Sequence, residues 1–172
     1  MGDLLERVMA QRDALKKLIA KLPGFKGYYE RADGRSADKL LRETISDKFQ
    51  AQWARLSSIQ RELIAGGHIE VMDEIETGAI RLRQFIDRVK TAAYGYSGLF
   101  DATKINEAEL DKVYQYDLTL LELADEIASA IDNLEASIGS DGLPAAIRNV
   151  DHKTQDCLDA LNQRSELFKF GG

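Results

Sequence analysis

The sequence predicts an all-α fold: an elongated, up-and-down antiparallel helical bundle of four long helices plus a basic N-terminal helix. Three observations carry that expectation. Apolar residues recur at alternating three- and four-residue steps along most of the chain. Proline occurs only at Pro23 and Pro144, so long uninterrupted helices are permitted. No stretch alternates apolar and polar residues for five positions between turn signals, as a half-buried strand would. Steps averaging about 3.5 residues favour the left-handed, near-parallel packing of coiled coils and bundles.

The first helix is expected within 1–22, where Leu5, Val8, Leu15, Ile19 and Leu22 form a stripe interrupted by Arg12; Pro23-Gly24 ends it. Residues 23–35 read as an aromatic, glycine-bearing connection. The second helix spans 36–65, with Leu41, Ile45, Phe49, Gln52, Leu56, Ile59 and Leu63 on its seam, and Gly66-Gly67 closes it. The third spans 69–93. Its stripe of Met72, Ile75, Ala79, Leu82, Ile86, Val89 and Ala93 runs unbroken until Tyr94-Gly95-Tyr96-Ser97-Gly98. The fourth, 106–138, starts behind Asn106 with Glu109 three residues on, a variant of the capping box. Its seam is Leu110, Val113, Asp117, Leu120, Ala124, Ile127, Ile131, Leu134 and Ile138, with Asp117 as the polar intruder. The fifth, 144–170, opens on Pro144, a residue suited to a first helical position, and carries Ile147, Val150, Thr154, Cys157, Leu161, Arg164 and Phe168. The 172 residues form one domain.

Short turns permit a crude alignment of antiparallel neighbours. It sets Phe49, Phe85, Tyr114 and Phe168 at one level as an aromatic slab. One turn deeper lie Gln52, Asp117 and Arg164. A lone carboxylate on a core seam costs several kcal/mol or is forced neutral, so it needs a partner, and Arg164 can supply two hydrogen bonds. We therefore expect a buried polar layer with an Asp117–Arg164 pair, joined by Gln52 or Trp53. Such a layer sets helix register; the alternatives are the floor of a ligand pocket, or groups that face solvent.

Composition narrows the function classes. Charged residues make up 30% and apolar ones 44%, too apolar for a disordered chain. The net charge of −6 argues against nucleic-acid binding, which needs a basic face. No apolar run approaches the roughly 18–20 residues of a membrane span, and MGDLLERV carries no signal-peptide core. A single cysteine, Cys157, excludes an internal disulfide and a cysteine-based zinc site. A cytoplasmic protein follows by elimination.

Catalytic signals are missing. Neither His68 nor His152 follows a glutamate at the spacing of a di-iron bundle site, and both fall near the aliphatic end with Glu70, Asp141 and Asp151. Solvated turn histidines are expected there rather than a metal. No nucleophile elbow or phosphate loop occurs. The chain reads as a non-enzyme without cofactor or metal.

Charge is unevenly spread. Residues 1–31 hold seven Lys/Arg against four Asp/Glu, whereas 106–138 hold nine Asp/Glu against Lys112 alone. Either the basic first helix docks across the acidic fourth, or both simply solvate the surface. The alternative makes the first helix a membrane-surface anchor, with Arg7, Arg12, Lys16, Lys17 and Lys21 near anionic headgroups.

Aromatics gather at one pole. Phe25, Tyr28 and Tyr29 lie on the first connection, and Tyr94, Tyr96 and Phe100 on that before the fourth helix. Either the two loops cap the core by packing on each other, or Tyr28, Tyr29, Tyr94 and Tyr96 form an interaction surface with adaptable Gly/Ser neighbours. Burial of the rings discriminates.

The segments Leu22-Pro23-Gly24-Phe25-Lys26-Gly27-Tyr28 and Ser36-Ala37-Asp38-Lys39-Leu40-Leu41-Arg42-Glu43, with the later stretch from Tyr94-Gly95-Tyr96 to Asp101, resemble parts of uncharacterised bacterial all-helical proteins. The resemblance implies no activity, ligand or site. The expected role is therefore a protein–protein interaction scaffold or adaptor whose protein partner is unknown. Self-association is open through leftover seam positions on the first or fifth helix. The rival roles are a membrane-surface binder through the first helix and a small-ligand binder in the aromatic half.

Overall fold

The computed structural model describes residues 13–92, 95–96 and 107–169, the last span with side chains from 111 to 166. Six α-helices lie among the described residues: α1 Asp13–Lys21, α2 Phe25–Glu30, α3 Gly34–Ala65, α4 Met72–Thr91, α5 Glu107–Ser137 and α6 Leu143–Lys169. A 3₁₀ turn, Ile69–Val71, leads into α4. The described residues contain no strand. Nor is any helix among them long and apolar enough to cross a membrane. The N-terminal half of the expected first helix, with Arg7 and Arg12, lies outside the described residues, as do Tyr94, Phe100, Phe170 and the side chain of Phe168.

The aromatic connection contains a helix that periodicity alone does not reveal. Gly24 adopts φ 97, a left-handed conformation, and its carbonyl accepts from Tyr28 N–H to start α2. Ala32 then reverses the chain at φ 51, and Asp33 caps α3 by accepting from the Ser36 amide at 3.2 Å.

Long helices α3, α4, α6 and α5 surround one core in that order, each packed along the next, with α5 returning to α3. Contacts fix the directions. Phe49 meets Phe85 at 4.5 Å between ring centroids, and Arg83 donates to Gln50 at 3.0 Å, so α3 and α4 are antiparallel. The pairs Lys153–Glu126 and Arg164–Asp117 make α5 and α6 antiparallel. Arg88 donates to Asn162, and Asp151 lies against Gly78, so α4 and α6 run parallel. By the same chain of relations α3 and α5 are also parallel. Consecutive long helices therefore alternate in direction, but α4 and α5 stand on opposite corners and do not pack along each other.

That diagonal step corrects the expected layers. Matching α4 to α5 as neighbours had placed Tyr114 beside Phe49 and Phe85. Instead Tyr114 stacks at 6.2 Å on Tyr96 and lies 6.4 Å from Tyr29, while Phe49 and Phe85 form their own pair.

Burial follows the predicted stripes, widened where a helix has two neighbours. On α4 the buried set adds Gly78 and Phe85 to the seam. On α5 it adds Tyr114, Leu118, Leu121, Leu123 and Ala130. The extra width on α5 accommodates α1, whose Leu15 and Leu18 are buried and whose Lys21 pairs with Asp125 at 3.3 Å. The apolar face that a membrane anchor would insert is thus already covered along Asp13–Lys21, while Lys16 and Lys17 are exposed.

These burial assignments make a direct prediction. Phe85→Ala, at a fully buried ring, should lower stability by about 3–5 kcal/mol in urea denaturation. Ile69→Ser, at a side chain 76% exposed, should stay within about 0.5 kcal/mol of the parent.

Candidate functional site: a buried tyrosine–aspartate–arginine clasp

Asp117 projects from the seam of α5 at a level where apolar neighbours surround it, and it is fully buried. Its carboxylate is met by two donors from other elements. Arg164 on α6, itself 3% exposed, donates through Nε to Oδ1 and through Nη2 to Oδ2, the latter at 3.4 Å. The Tyr96 hydroxyl donates to Oδ2. Tyr96 is fixed in turn by Asp38 on α3, whose Oδ1 accepts from the Tyr96 backbone N–H at 2.8 Å. Phe25 of α2 closes the group edge-on, 5.4 Å from the Tyr96 ring at 73°. One centre thereby ties together α2, α3, α5, α6 and the segment after α4.

Electrostatics favour a closed pair over an exchangeable one. Burial pushes the Asp117 carboxyl above its ordinary value, while the Arg164 charge and the two sets of hydrogen bonds pull it back. The Tyr96 hydroxyl is raised well above its usual range, first by burial and then by the Asp117 charge, so it stays a donor. Each carboxylate oxygen accepts from the protein itself, which suits a structural clasp rather than the floor of a ligand pocket.

Sequence-predicted residues fare unequally. Asp117 and Arg164 come together as a buried pair. Gln52 does not join them: it is half-buried and accepts from Arg55 at 3.0 Å, while Arg55 reaches across to Asp132 on α5. The parallel pairing of α3 with α5 sets Asp38, not Gln52, at the level of Asp117. Trp53 lies under the Arg83 guanidinium at 5.3 Å. Tyr96 must be withdrawn from the interaction surface, because its ring is 0% exposed and its hydroxyl is consumed by Asp117. Tyr28 and Tyr29 are half-buried, and Tyr94 lies outside the described residues.

Two members of the clasp escaped the sequence reading. Asp38 falls three residues before Leu41 and so on the Leu41–Ile45 stripe, a signal that was available. Tyr96 sits in a glycine-bearing connection with no periodicity to place it.

The remaining chemistry-bearing groups lie apart from the clasp. Burial pushes the Cys157 thiol far above its normal range, which makes it a poor nucleophile. His68 lies 3.6 Å from Glu70, and His152 is exposed. Asp151 is half-buried with Oδ1 pressed against Gly78, where that atom has no hydrogen-bond partner. Its carboxyl rises from 3.8 to about 6, chiefly through burial, with Arg81 opposing and Glu74 adding to the rise.

Comparison with known protein families, curated proteins and solved structures gives no match to this chain.

The clasp and Asp151 generate separate predictions. Asp117→Asn leaves the Arg164 charge buried without a counter-charge and should cost about 3–5 kcal/mol. Tyr96→Phe, which removes one donor, should cost about 1–3 kcal/mol. A loss under about 1 kcal/mol for Asp117→Asn, as at an exposed pair, would contradict the buried arrangement. For Asp151 the folded state holds a proton that the unfolded chain releases between 3.8 and about 6. Stability should therefore decline as pH rises through that window and level off above it. Asp151→Asn should flatten this decline and leave the protein more stable at neutral pH, measured by denaturation across a pH series.

Proposed function

We propose that the protein is a non-catalytic, cytoplasmic helical-bundle scaffold that binds another protein through the pole carrying α2. One observation carries this reading. Tyr28, half-buried on α2, has the Arg31 guanidinium 5.1 Å over its ring, while Phe25 of the same short helix is fully buried in the clasp. An aromatic ring and an arginine are thus offered to solvent on a segment whose base is immobilised. Tyrosine and arginine dominate binding hot spots because they supply large contact area, and a rigid base lowers the ordering cost on association.

The closed state of the clasp supports the same reading from the other side. Its ionisable groups engage each other, so Asp117, Arg164 and Tyr96 are committed to holding helices together. What remains for recognition is the surface above them.

Affinity capture from the native cell tests the reading, with a Tyr28→Ala/Arg31→Ala double variant as control. The variant should keep the parent's circular dichroism and melting behaviour while losing the captured partner. A partner retained equally by both proteins, or none captured by either, would remove the α2 pole from consideration.

A further inference from the structure

Between α4 and α6 one carboxyl occupies a place that suits its neutral form. Asp151, half-buried on α6, turns its side chain into the hollow left by Gly78 of α4. There Oδ1 is sealed from solvent and has no hydrogen-bond partner among the described residues. An ionised oxygen in such a position is costly, because it has given up water and gained no donor. Burial accordingly raises this carboxyl to about 6, with Arg81 opposing, Glu74 adding to the rise and His152 opposing.

Gly78 is what admits the carboxyl. It lies in the interior of α4, where alanine is the better helix former. A Cβ at that position would collide with Oδ1. The Asp151 Cα, by contrast, stands 3.9 Å from the same point, an ordinary van der Waals separation. The helices therefore come no closer than an alanine would allow, and the hollow serves the carboxyl alone.

A second place for the carboxyl lies alongside. A cleft of about 250 Å³ is bordered by Arg81 of α4 and by Arg148, Asp151, His152 and Gln155 of α6. Among the described residues neither guanidinium forms an ion pair. The charged and titratable groups facing Asp151 are thus Arg81 and Glu74 from α4, and Arg148 and His152 from α6 itself.

We propose that Asp151 is a pH-operated latch between α4 and α6, seated against Gly78 when protonated and swung into the Arg81–Arg148 cleft when ionised. The movement is a rotation between staggered side-chain positions and leaves both backbones in place. Each place suits one form. The hollow accepts a neutral carboxyl, whereas the cleft offers the charge-assisted hydrogen bonds that the hollow lacks. Acidification seats the latch and fills the contact between the helices; a rise in pH empties it.

The test is an NMR pH titration of the full chain across the acidic to neutral range. It follows the Asp151 Cγ resonance, the Gly78 amide and the Arg81 Nε–H. All three should move with one midpoint above 3.8. Asp151→Asn should abolish the Gly78 and Arg81 transitions; their persistence would assign them to His152 and overturn the latch. Gly78→Ala denies the seat, so the Asp151 midpoint should fall by about one pH unit or more toward 3.8. At neutral pH this variant should be at least as stable as the parent, because its methyl fills a hollow that the ionised carboxyl has left. The Arg81→Gln/Arg148→Gln double variant should raise the midpoint, and an unchanged value would rule out the cleft as the destination. A midpoint unmoved by Gly78→Ala, or a loss of stability in that variant at neutral pH, would show that the carboxylate stays seated and would end the proposal.

Discussion

The Asp117 carboxylate has no access to solvent, so the chain must bring donors to it before the bundle can close. Burying such a charge without partners costs several kcal/mol, and the geometry that avoids the cost is narrow. Arg164 must come from α6 at one register, and the Tyr96 hydroxyl must arrive from the segment that follows α4. A slip of one turn in α6 would strand a guanidinium and a carboxylate in apolar surroundings. Leucine and isoleucine seams tolerate such a slip far better, because apolar contact is not directional. The polar centre therefore selects one arrangement from several that the apolar stripes alone permit.

Its influence extends through Tyr96. The backbone of that residue is held by Asp38 near the start of α3, and its ring packs between Phe25 and Tyr114. Tyr96 lies between α4 and α5 in the chain, and these contacts fix it in the core. The diagonal step makes α3 and α5 parallel neighbours and leaves a second apolar strip along α5, which α1 covers with Leu15 and Leu18. Basic α1 meets acidic α5 there, although the Lys21–Asp125 pair is open to solvent and contributes little beside the buried leucines.

The same economy separates interior from surface. Asp117, Arg164, Tyr96 and Cys157 would each invite a catalytic reading if exposed, yet all are sealed, and the first three satisfy one another. Likewise Tyr28 and Arg31 remain at the surface because α2 spends Phe25, not Tyr28, on the core.

Helix content, the long helices to within a few residues of their ends, the stripes they bury and the pairing of Asp117 with Arg164 were all legible in the sequence. Each follows from local periodicity, capping and a turn short enough to make α5 and α6 antiparallel neighbours. The α2 helix was not legible, since six residues with two adjacent tyrosines and a glycine carry no period. Nor was the diagonal placement of α4 and α5, because a long connection does not state which corner it reaches. That one undetermined choice displaced Tyr114 from the Phe49–Phe85 pair, replaced Gln52 by Asp38, and placed Tyr96, a candidate surface ring, at the buried centre of the clasp. Local sequence determined each long helix and the face it buries; only tertiary packing decided which faces meet, because neighbour choice depends on closing the whole core around one buried charge.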